Sequence, residues 1–198
     1  MLNLDKLKED LKVILSNREP KRIKDDGADY TQASVLLPLF IRDGRYWLLL
    51  MRRANTVEYH KGEVSFPGGV VDEKDYSLES TAKRETFEEI GVREEDIEIL
   101  GQLDDMTTIT SQFIVHPFVG AVPFPYEFSI NKGEVEHLIE VPLRFFLDPS
   151  QPRPFSINYK GDTFETPAFI YKGTVIWGAT ERILENFISL IRSTIQRS

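Results

Sequence analysis

The stretch GEVSFPGG at residues 62–69, followed by SLESTAKRETFEEIGV at residues 77–92, is the most informative part of this 198-residue chain. On a helical wheel at about 100° per residue, Glu85, Glu88 and Glu89 fall within one arc of roughly 100°. Like charges four residues apart destabilise a helix, so this arc requires a compensating positive charge. Two interpretations follow: a site for a hard divalent cation, which prefers oxygen ligands, or a solvated acidic helix face.

The Gly-rich turn just upstream favours the cation site. The sequence Phe-Pro-Gly-Gly at residues 66–69 predicts a rigid turn whose glycines let a backbone carbonyl approach an ion or a phosphate. A helix is predicted from about Ser77 to Ile90, and Gly91 is suited to be its C-cap. Because the turn lies shortly before this helix, backbone and carboxylates can converge on one point.

Strand and helix patterns alternate along the rest of the chain. Apolar runs at residues 33–41 and 46–51 flank an Asp-Gly dipeptide, which is a strong hairpin signal. Residues 134–147 are predicted to begin as a helix that Pro142 interrupts. Amphipathic helices are predicted at residues 1–17 and 180–196. This pattern predicts an α/β fold with a mixed sheet and helices packed on it, in one domain.

Composition excludes several functional classes. The chain has 24 Lys and Arg residues against 32 Asp and Glu residues, and this net charge of −8 argues against nucleic acid as a partner. The absence of cysteine excludes a disulfide scaffold, a thiolate metal site and a cysteine nucleophile. No apolar run approaches the roughly 20 residues that cross a bilayer, and the charged start has no signal-peptide core. We therefore expect a cytoplasmic protein with no membrane partner, while apolar faces on the terminal helices leave a homodimer open.

The quoted segments resemble the Nudix box, whose pattern is G-x5-E-x7-R-E-U-x-E-E-x-G-U, with U an aliphatic residue. Gly69 stands one residue too early for this pattern, which implies a one-residue insertion, and Thr86 replaces an aliphatic residue. The early acid of the pattern then corresponds to Asp75. The second half matches in register at Arg84, Glu85, Glu88, Glu89, Gly91 and Val92.

The insertion and its surroundings resemble the coenzyme A diphosphatase branch of the Nudix family. That branch has the signature L-L-x-x-R…H-x-G-x-x-x-F-P-G-G upstream of the box, which this chain matches at Arg53, at His60 and at residues 66–69. The chain departs from the signature at Ala54, where the branch has serine, and at Glu58, where it has arginine. An anion in place of a cation weakens the binding of a polyphosphate by local repulsion.

The resemblance implies a Nudix-type α/β/α sandwich with a central mixed β-sheet over residues 1–198, and a Mg²⁺ or Mn²⁺ cofactor. The implied reaction is hydrolysis of the pyrophosphate bond of a small nucleotide-derived substrate. For coenzyme A, the products are 3′,5′-ADP and 4′-phosphopantetheine. ADP-ribose, NADH and dinucleoside polyphosphates stay open as substrates, and so does the role of a non-catalytic Nudix-fold ligand sensor.

The same resemblance implies site residues in three groups. The implied catalytic residues are Arg84, Glu85, Glu89 and Glu134. The implied metal ligands are Glu85, Glu88, Glu89 and the carbonyl of Gly69. The implied substrate-binding residues are Arg52, Arg53, His60, Lys61, Phe66 and Gly68.

Several of these roles have alternatives. Arg84 is expected to orient a glutamate, and either Glu85 or Glu134 is the candidate general base. Glu134 is alternatively a metal ligand, or a solvent-facing acid that interacts with a helix dipole. His116 lies in an apolar run and is predicted to be a buried strand histidine.

Overall fold

The structure, a computed structural model, describes residues 7–24, 29–57, 60–108, 112–159 and 162–195. Its helices are α1 (Leu7–Ser16), α2 (Leu78–Ile90), α3 (Leu143–Phe146) and α4 (Gly178–Ile195), with a 3₁₀ turn at Glu94–Asp96. Its strands are β1 (Thr31–Arg42), β2 (Arg45–Arg53), β3 (Val64–Ser65), β4 (Gly68–Val70), β5 (Glu98–Gln102), β6 (Met106–Thr107), β7 (Phe113–Ala121), β8 (Val135–Pro142), β9 (Arg153–Tyr159), β10 (Asp162–Tyr171) and β11 (Thr174–Trp177). In the described part of the chain, no helix is long and apolar enough to cross a membrane.

A mixed sheet with the strand order β3-β2-β1-β7-β5 forms the centre of the molecule. Strands β1 and β7 are parallel, whereas β1 and β2 form an antiparallel hairpin in which Arg42 pairs with Arg45. The hairpin that the Asp-Gly dipeptide predicts is therefore confirmed. Strands β4, β6 and β8 add to β1, β7 and β2, and a second antiparallel sheet has the order β11-β10-β9.

Helices cover both faces of the central sheet. Ala82 and Ile90 of α2 pack with Leu36 and Phe40 in one buried cluster. Helices α1 and α4 pack in a second cluster on the other side, which contains Leu37 of β1. The predicted fold class, a mixed sheet between layers of helices, is confirmed.

Both ends of α2 are fixed by local hydrogen bonds. Ser77 is the N-cap and accepts a bond from the backbone N–H of Ser80, whose hydroxyl in turn accepts from the Ser77 N–H. Gly91 ends the helix in the left-handed conformation, with φ of 76°. The predicted helix is confirmed, and these caps fix where it begins and ends.

The prediction of a helix at the start of residues 134–147 is wrong. These residues form strand β8, which pairs with β2 from Arg53 opposite Val135 to Trp47 opposite Pro142. Val135, Ile139 and Val141 are buried against the core, and pairing with a central strand outweighs the local helical preference. The helix that directly follows Pro142, α3, has only four residues. Glu134 lies immediately before strand β8 rather than at the start of a helix.

A buried polar network joins the N-terminal segment to the sheet. His116 of β7 is buried, and its Nδ1 and Nε2 lie 2.8 Å from Asp105 Oδ1 and Gln32 Oε1 respectively. Asp105 also accepts a hydrogen bond from the backbone N–H of Ile23. The prediction that His116 is a buried strand histidine is confirmed, and its partners explain how a polar ring is accommodated there.

Glu181 of α4 gives a prediction for stability against pH. It is buried, and burial together with Glu185 raises the pKa of Glu181 to about 7. Because this pKa lies above the unfolded value of about 4.3, ionisation of the carboxyl destabilises the fold increasingly as pH rises between the two values. We expect Glu181→Gln to raise the free energy of unfolding by about 1–3 kcal/mol at about pH 8 and to change it little at about pH 4.

Urea unfolding at the two pH values measures this difference. Glu127→Gln is the matched control, because it removes the same charge from an exposed side chain. The raised pKa of Glu181 would be contradicted if Glu181→Gln increased the free energy of unfolding equally at both pH values, or by no more than the control does.

Candidate active site

The Gly-rich turn lies where strands β1 and β2 separate. Strand β3 pairs with β2 through Ser65 opposite Met51, whereas β4 pairs with β1 through Gly69 opposite Ser34. The turn between β3 and β4 therefore crosses from one strand of the hairpin to the other. The backbone of Gly68 and Gly69 then lies beside α2.

The two glycines of this turn contact two carboxylates of α2. The backbone N–H of Gly68 donates to Glu89 Oε2 at 2.9 Å. A Cβ atom placed on Gly69 would lie 2.5 Å from Glu85 Oε2, so only glycine permits this approach. The convergence of turn and carboxylates that the sequence predicts is thus present in the structure.

Arg84 holds the acidic side chains around it in fixed positions. Its Nε and Nη2 donate to the two carboxylate oxygens of Asp75 at 2.8 and 2.9 Å. Its Nη1 donates to Glu85 Oε1 at 2.8 Å and to Glu88 Oε2 at 3.3 Å. Nη2 also donates to the carbonyl of Val70 at 3.1 Å. Such bidentate pairing restricts both partners to one geometry.

Asp75 is the residue whose role the sequence did not reveal. Its carboxylate is almost completely buried and accepts a further hydrogen bond from Thr81 Oγ1 at 2.8 Å. The hydrogen bonds from Arg84 hold the pKa of Asp75 well below its usual range. The signal that could have identified this role was the position of Asp75 as the early acid of the box, nine residues before Arg84.

The three glutamates of the acidic arc have different environments. The side chain of Glu88 is 52% exposed, that of Glu85 is 15% exposed, and that of Glu89 is 2% exposed. Burial raises the pKa of Glu85 although Arg84 opposes the shift. Burial raises the pKa of Glu89 to about 8, against the N–H of Gly68 and the charge of Arg53. The charge of Glu134 adds to both shifts, so a cation between these carboxylates would relieve their repulsion.

The available donors fit a hard divalent cation in chemical type. They are carboxylate oxygens and a backbone carbonyl, which Mg²⁺, Mn²⁺ and Ca²⁺ prefer. Within the described ranges, however, no three His, Asp or Glu side chains are grouped closely enough to form a complete metal site. In this structure Glu85 is hydrogen-bonded to Arg84, and Glu88 is largely exposed.

Of the predicted substrate-binding residues, Arg53 and Gly68 lie at the carboxylates. Arg53 Nη1 is 3.7 Å from Glu89 Oε1. Arg52 Nη1 instead donates to the carbonyl of Gly62 at 2.7 Å. Glu134 accepts a bond from Asn131 Nδ2 at 3.2 Å.

The other predicted substrate-binding residues have different surroundings. His60 Nδ1 is 3.0 Å from Glu63 Oε2, and Lys61 is exposed. Phe66 is only 2% exposed and belongs to the cluster that contains α4, so its side chain packs against the core. Glu58, where the chain departs from the signature, lies outside the described residues.

Comparison with known proteins identifies the family. A model of the NUDIX domain matches residues 30–155, a range that contains the Gly-rich turn, α2 and Glu134. The chain belongs to the Nudix family. This Nudix protein is 34% identical over 173 residues to the uncharacterized Nudix hydrolase NudL of Photorhabdus laumondii, covering 87% of this chain and 90% of that protein. It is 37% identical over 155 residues to NudL of Yersinia pestis, covering 78% and 77% respectively.

A solved structure supports the Nudix fold. The MutT/nudix family protein from Enterococcus faecalis superposes with a TM-score of 0.51 at 16% identity, covering 96% of this chain and 70% of that one. The family match and the hydrolase relatives together make this protein an enzyme, a Nudix hydrolase.

Proposed function

We propose that this Nudix hydrolase cleaves the pyrophosphate bond of coenzyme A, giving 3′,5′-ADP and 4′-phosphopantetheine, with Mg²⁺ or Mn²⁺ as cofactor. Nudix hydrolases act on nucleoside diphosphate derivatives and generally use divalent cations. The observation that carries the proposal is the contact of the Gly68 and Gly69 backbone with the Glu89 and Glu85 carboxylates. Coenzyme A is favoured within this class by the signature at Arg53, at His60 and at residues 66–69.

Glu85, Glu88, Glu89 and the Gly69 carbonyl would hold the ion in this proposal. A divalent ion bound there supplies charge neutralisation of the phosphate oxygens and a lower pKa for the attacking water. Asp75 fixes Arg84, and Arg84 in turn orients Glu85 toward the Gly-rich turn. Asp75 and Arg84 thus act by positioning Glu85, and neither needs to contact the substrate.

Glu134 is the better candidate for the general base. Glu85 accepts a hydrogen bond from the Arg84 guanidinium, which holds its carboxylate in one position and leaves that oxygen less free to accept a proton from water. Among the described residues, Glu134 accepts a side-chain bond only from the neutral amide of Asn131. The charge of Glu134 also acts on Glu85 and Glu89, which supports a role for Glu134 near the proposed reacting centre.

The departure of Ala54 from the signature concerns packing. Ala54 is only 7% exposed, and its backbone N–H donates to the carbonyl of Glu134 at 2.8 Å. A serine hydroxyl at this position would therefore be largely enclosed by protein. ADP-ribose, NADH and dinucleoside polyphosphates remain the alternative substrates. A non-catalytic sensor is disfavoured, because Glu85, Glu88 and Glu89 are all present.

A substrate panel tests the proposal. We expect coenzyme A or an acyl-coenzyme A to show the highest kcat/KM among coenzyme A, acyl-coenzyme A, ADP-ribose, NADH and dinucleoside polyphosphates. Chromatography should show 3′,5′-ADP as a product, and a chelator should abolish turnover because the carboxylates then lack their cation. Coenzyme A ranking well below another compound would contradict the substrate assignment, whereas no turnover of any compound would contradict the hydrolytic site.

A further inference from the structure

Among the described residues, Arg53 is the cation that forms an ion pair with the buried carboxylate of Glu89. It ends strand β2, where its N–H donates to the carbonyl of Glu63 at 2.9 Å and its carbonyl accepts from the N–H of Gly62 at 3.2 Å. Its side chain is 22% exposed, and Nη1 lies 3.7 Å from Glu89 Oε1. This distance is an ion-pair contact rather than a hydrogen bond.

Toward the described residues, the hydrogen-bonding capacity of the Arg53 side chain is largely unused. A guanidinium has five N–H donors, and Arg84 uses its own on two aspartate oxygens, two glutamates and a carbonyl. Arg53, by contrast, makes no side-chain hydrogen bond to the described residues, and its Nε is buried without an acceptor there. Burying such a donor is costly, so the arrangement implies a partner that Arg53 gains in another state.

We propose that Arg53 is an exchangeable counter-ion of Glu89. In the metal-free protein the Arg53 guanidinium lies 3.7 Å from Glu89 as its ion-pair partner. Once Glu89 holds a divalent ion, Arg53 would instead donate to phosphate oxygens of the substrate pyrophosphate. This inference rests on the proposed function. Two cations beside one carboxylate repel each other, which drives the exchange. The planar guanidinium of arginine matches the geometry of phosphate oxygens, so the substrate pyrophosphate would offer Arg53 hydrogen-bond acceptors after it leaves Glu89.

Mn²⁺ binding without substrate tests the first half of the exchange. We expect Arg53→Gln to bind Mn²⁺ about tenfold more tightly than the wild-type protein, because the competing positive charge is removed. Removal of the Arg53 charge also strengthens the binding of a proton to Glu89. The gain in binding free energy is about twice as large for a divalent ion, because its charge is twice that of a proton. Calorimetry or electron paramagnetic resonance, at one pH for all variants, measures the affinity.

Arg45→Gln is the matched control for this titration. It removes the same charge from an exposed residue at the other end of strand β2. We expect its Mn²⁺ affinity to equal that of the wild-type protein. If Arg53→Gln does not fold, Arg53→Met, which retains the aliphatic stem, replaces it in the same measurement.

Kinetics at saturating Mn²⁺ tests the second half. With the panel compound that is hydrolysed fastest, we expect Arg53→Gln to raise KM about tenfold or more, and Arg53→Lys to recover part of the loss. An unchanged Mn²⁺ affinity or an unchanged KM in Arg53→Gln would overturn the exchange while leaving a working wild-type enzyme. A wild-type protein that neither binds Mn²⁺ nor hydrolyses any compound would instead overturn the proposed function itself.

Discussion

Replacement of Glu89 with glutamine is expected to lower kcat/KM about a thousandfold while the fold stays intact. Stabilisation of transition-state charge by a bound divalent ion amounts to several kcal/mol, and each ~1.4 kcal/mol is a factor of ten in rate. A glutamine oxygen can still accept the hydrogen bond that the Gly68 N–H makes to Glu89. Steady-state kinetics with Mg²⁺ and with Mn²⁺, together with thermal unfolding, measures the two effects.

Glu79→Gln is the control for this substitution on the same helix. Glu79 lies in the first turn of α2 and pairs with Lys83 at 3.2 Å, away from the Gly-rich turn. It removes one carboxylate from α2 and should leave turnover unchanged. Near-normal activity of Glu89→Gln with either ion would show that the buried carboxylate is not a ligand and would refute the metal site.

Gly69→Ala is expected to lower kcat/KM about a hundredfold with little loss of stability. The new Cβ atom would lie 2.5 Å from Glu85 Oε2 and 2.6 Å from Glu85 Oε1, closer than van der Waals contact. Because these atoms end a flexible side chain, we expect the carboxylate to move and the backbone to stay. A displacement of about 1 Å at a reacting centre costs about a hundredfold in rate.

Gly68→Ala provides the contrast one residue earlier. Its Cβ atom would lie 2.6 Å from the Cα of Val35, a backbone atom of a central strand that cannot move aside cheaply. We therefore expect Gly68→Ala to lower the free energy of unfolding, by about 1–3 kcal/mol. If Gly69→Ala also loses mainly stability and retains its rate, Glu85 does not need its present position for catalysis.

Local signals made α2 and the Gly-rich turn predictable from the sequence. The helical period fixes which glutamates share a face, and Ser77 and Gly91 mark the helix ends. The Asp-Gly dipeptide likewise specifies the β1–β2 hairpin without reference to the rest of the chain. These features depend on residues that are close in sequence, so one sequence is sufficient to predict them.

Tertiary contacts explain what the sequence could not show. Strand β8 exists because it pairs with β2, more than eighty residues earlier in the chain, and its own residues favour a helix at the start. The contact of Arg53 with Glu89 spans 36 positions, and the two-point grip of Arg84 on Asp75 depends on how the loop before α2 folds back. Periodicity gives no information about such distances.

Helix α4 supports the reacting centre from the far side of the sheet. Thr180 Oγ1 donates to the carbonyl of Val64 at 3.0 Å, and Phe66 packs in the same cluster as Leu184 and Phe187. Val64 and Phe66 flank the start of the turn that carries Gly68 and Gly69. The turn of the candidate site is thus held in part by a helix that lies outside residues 30–155, the range matched by the NUDIX domain model. Substitutions in α4 would therefore lower the activity of the enzyme without changing any residue of the candidate site.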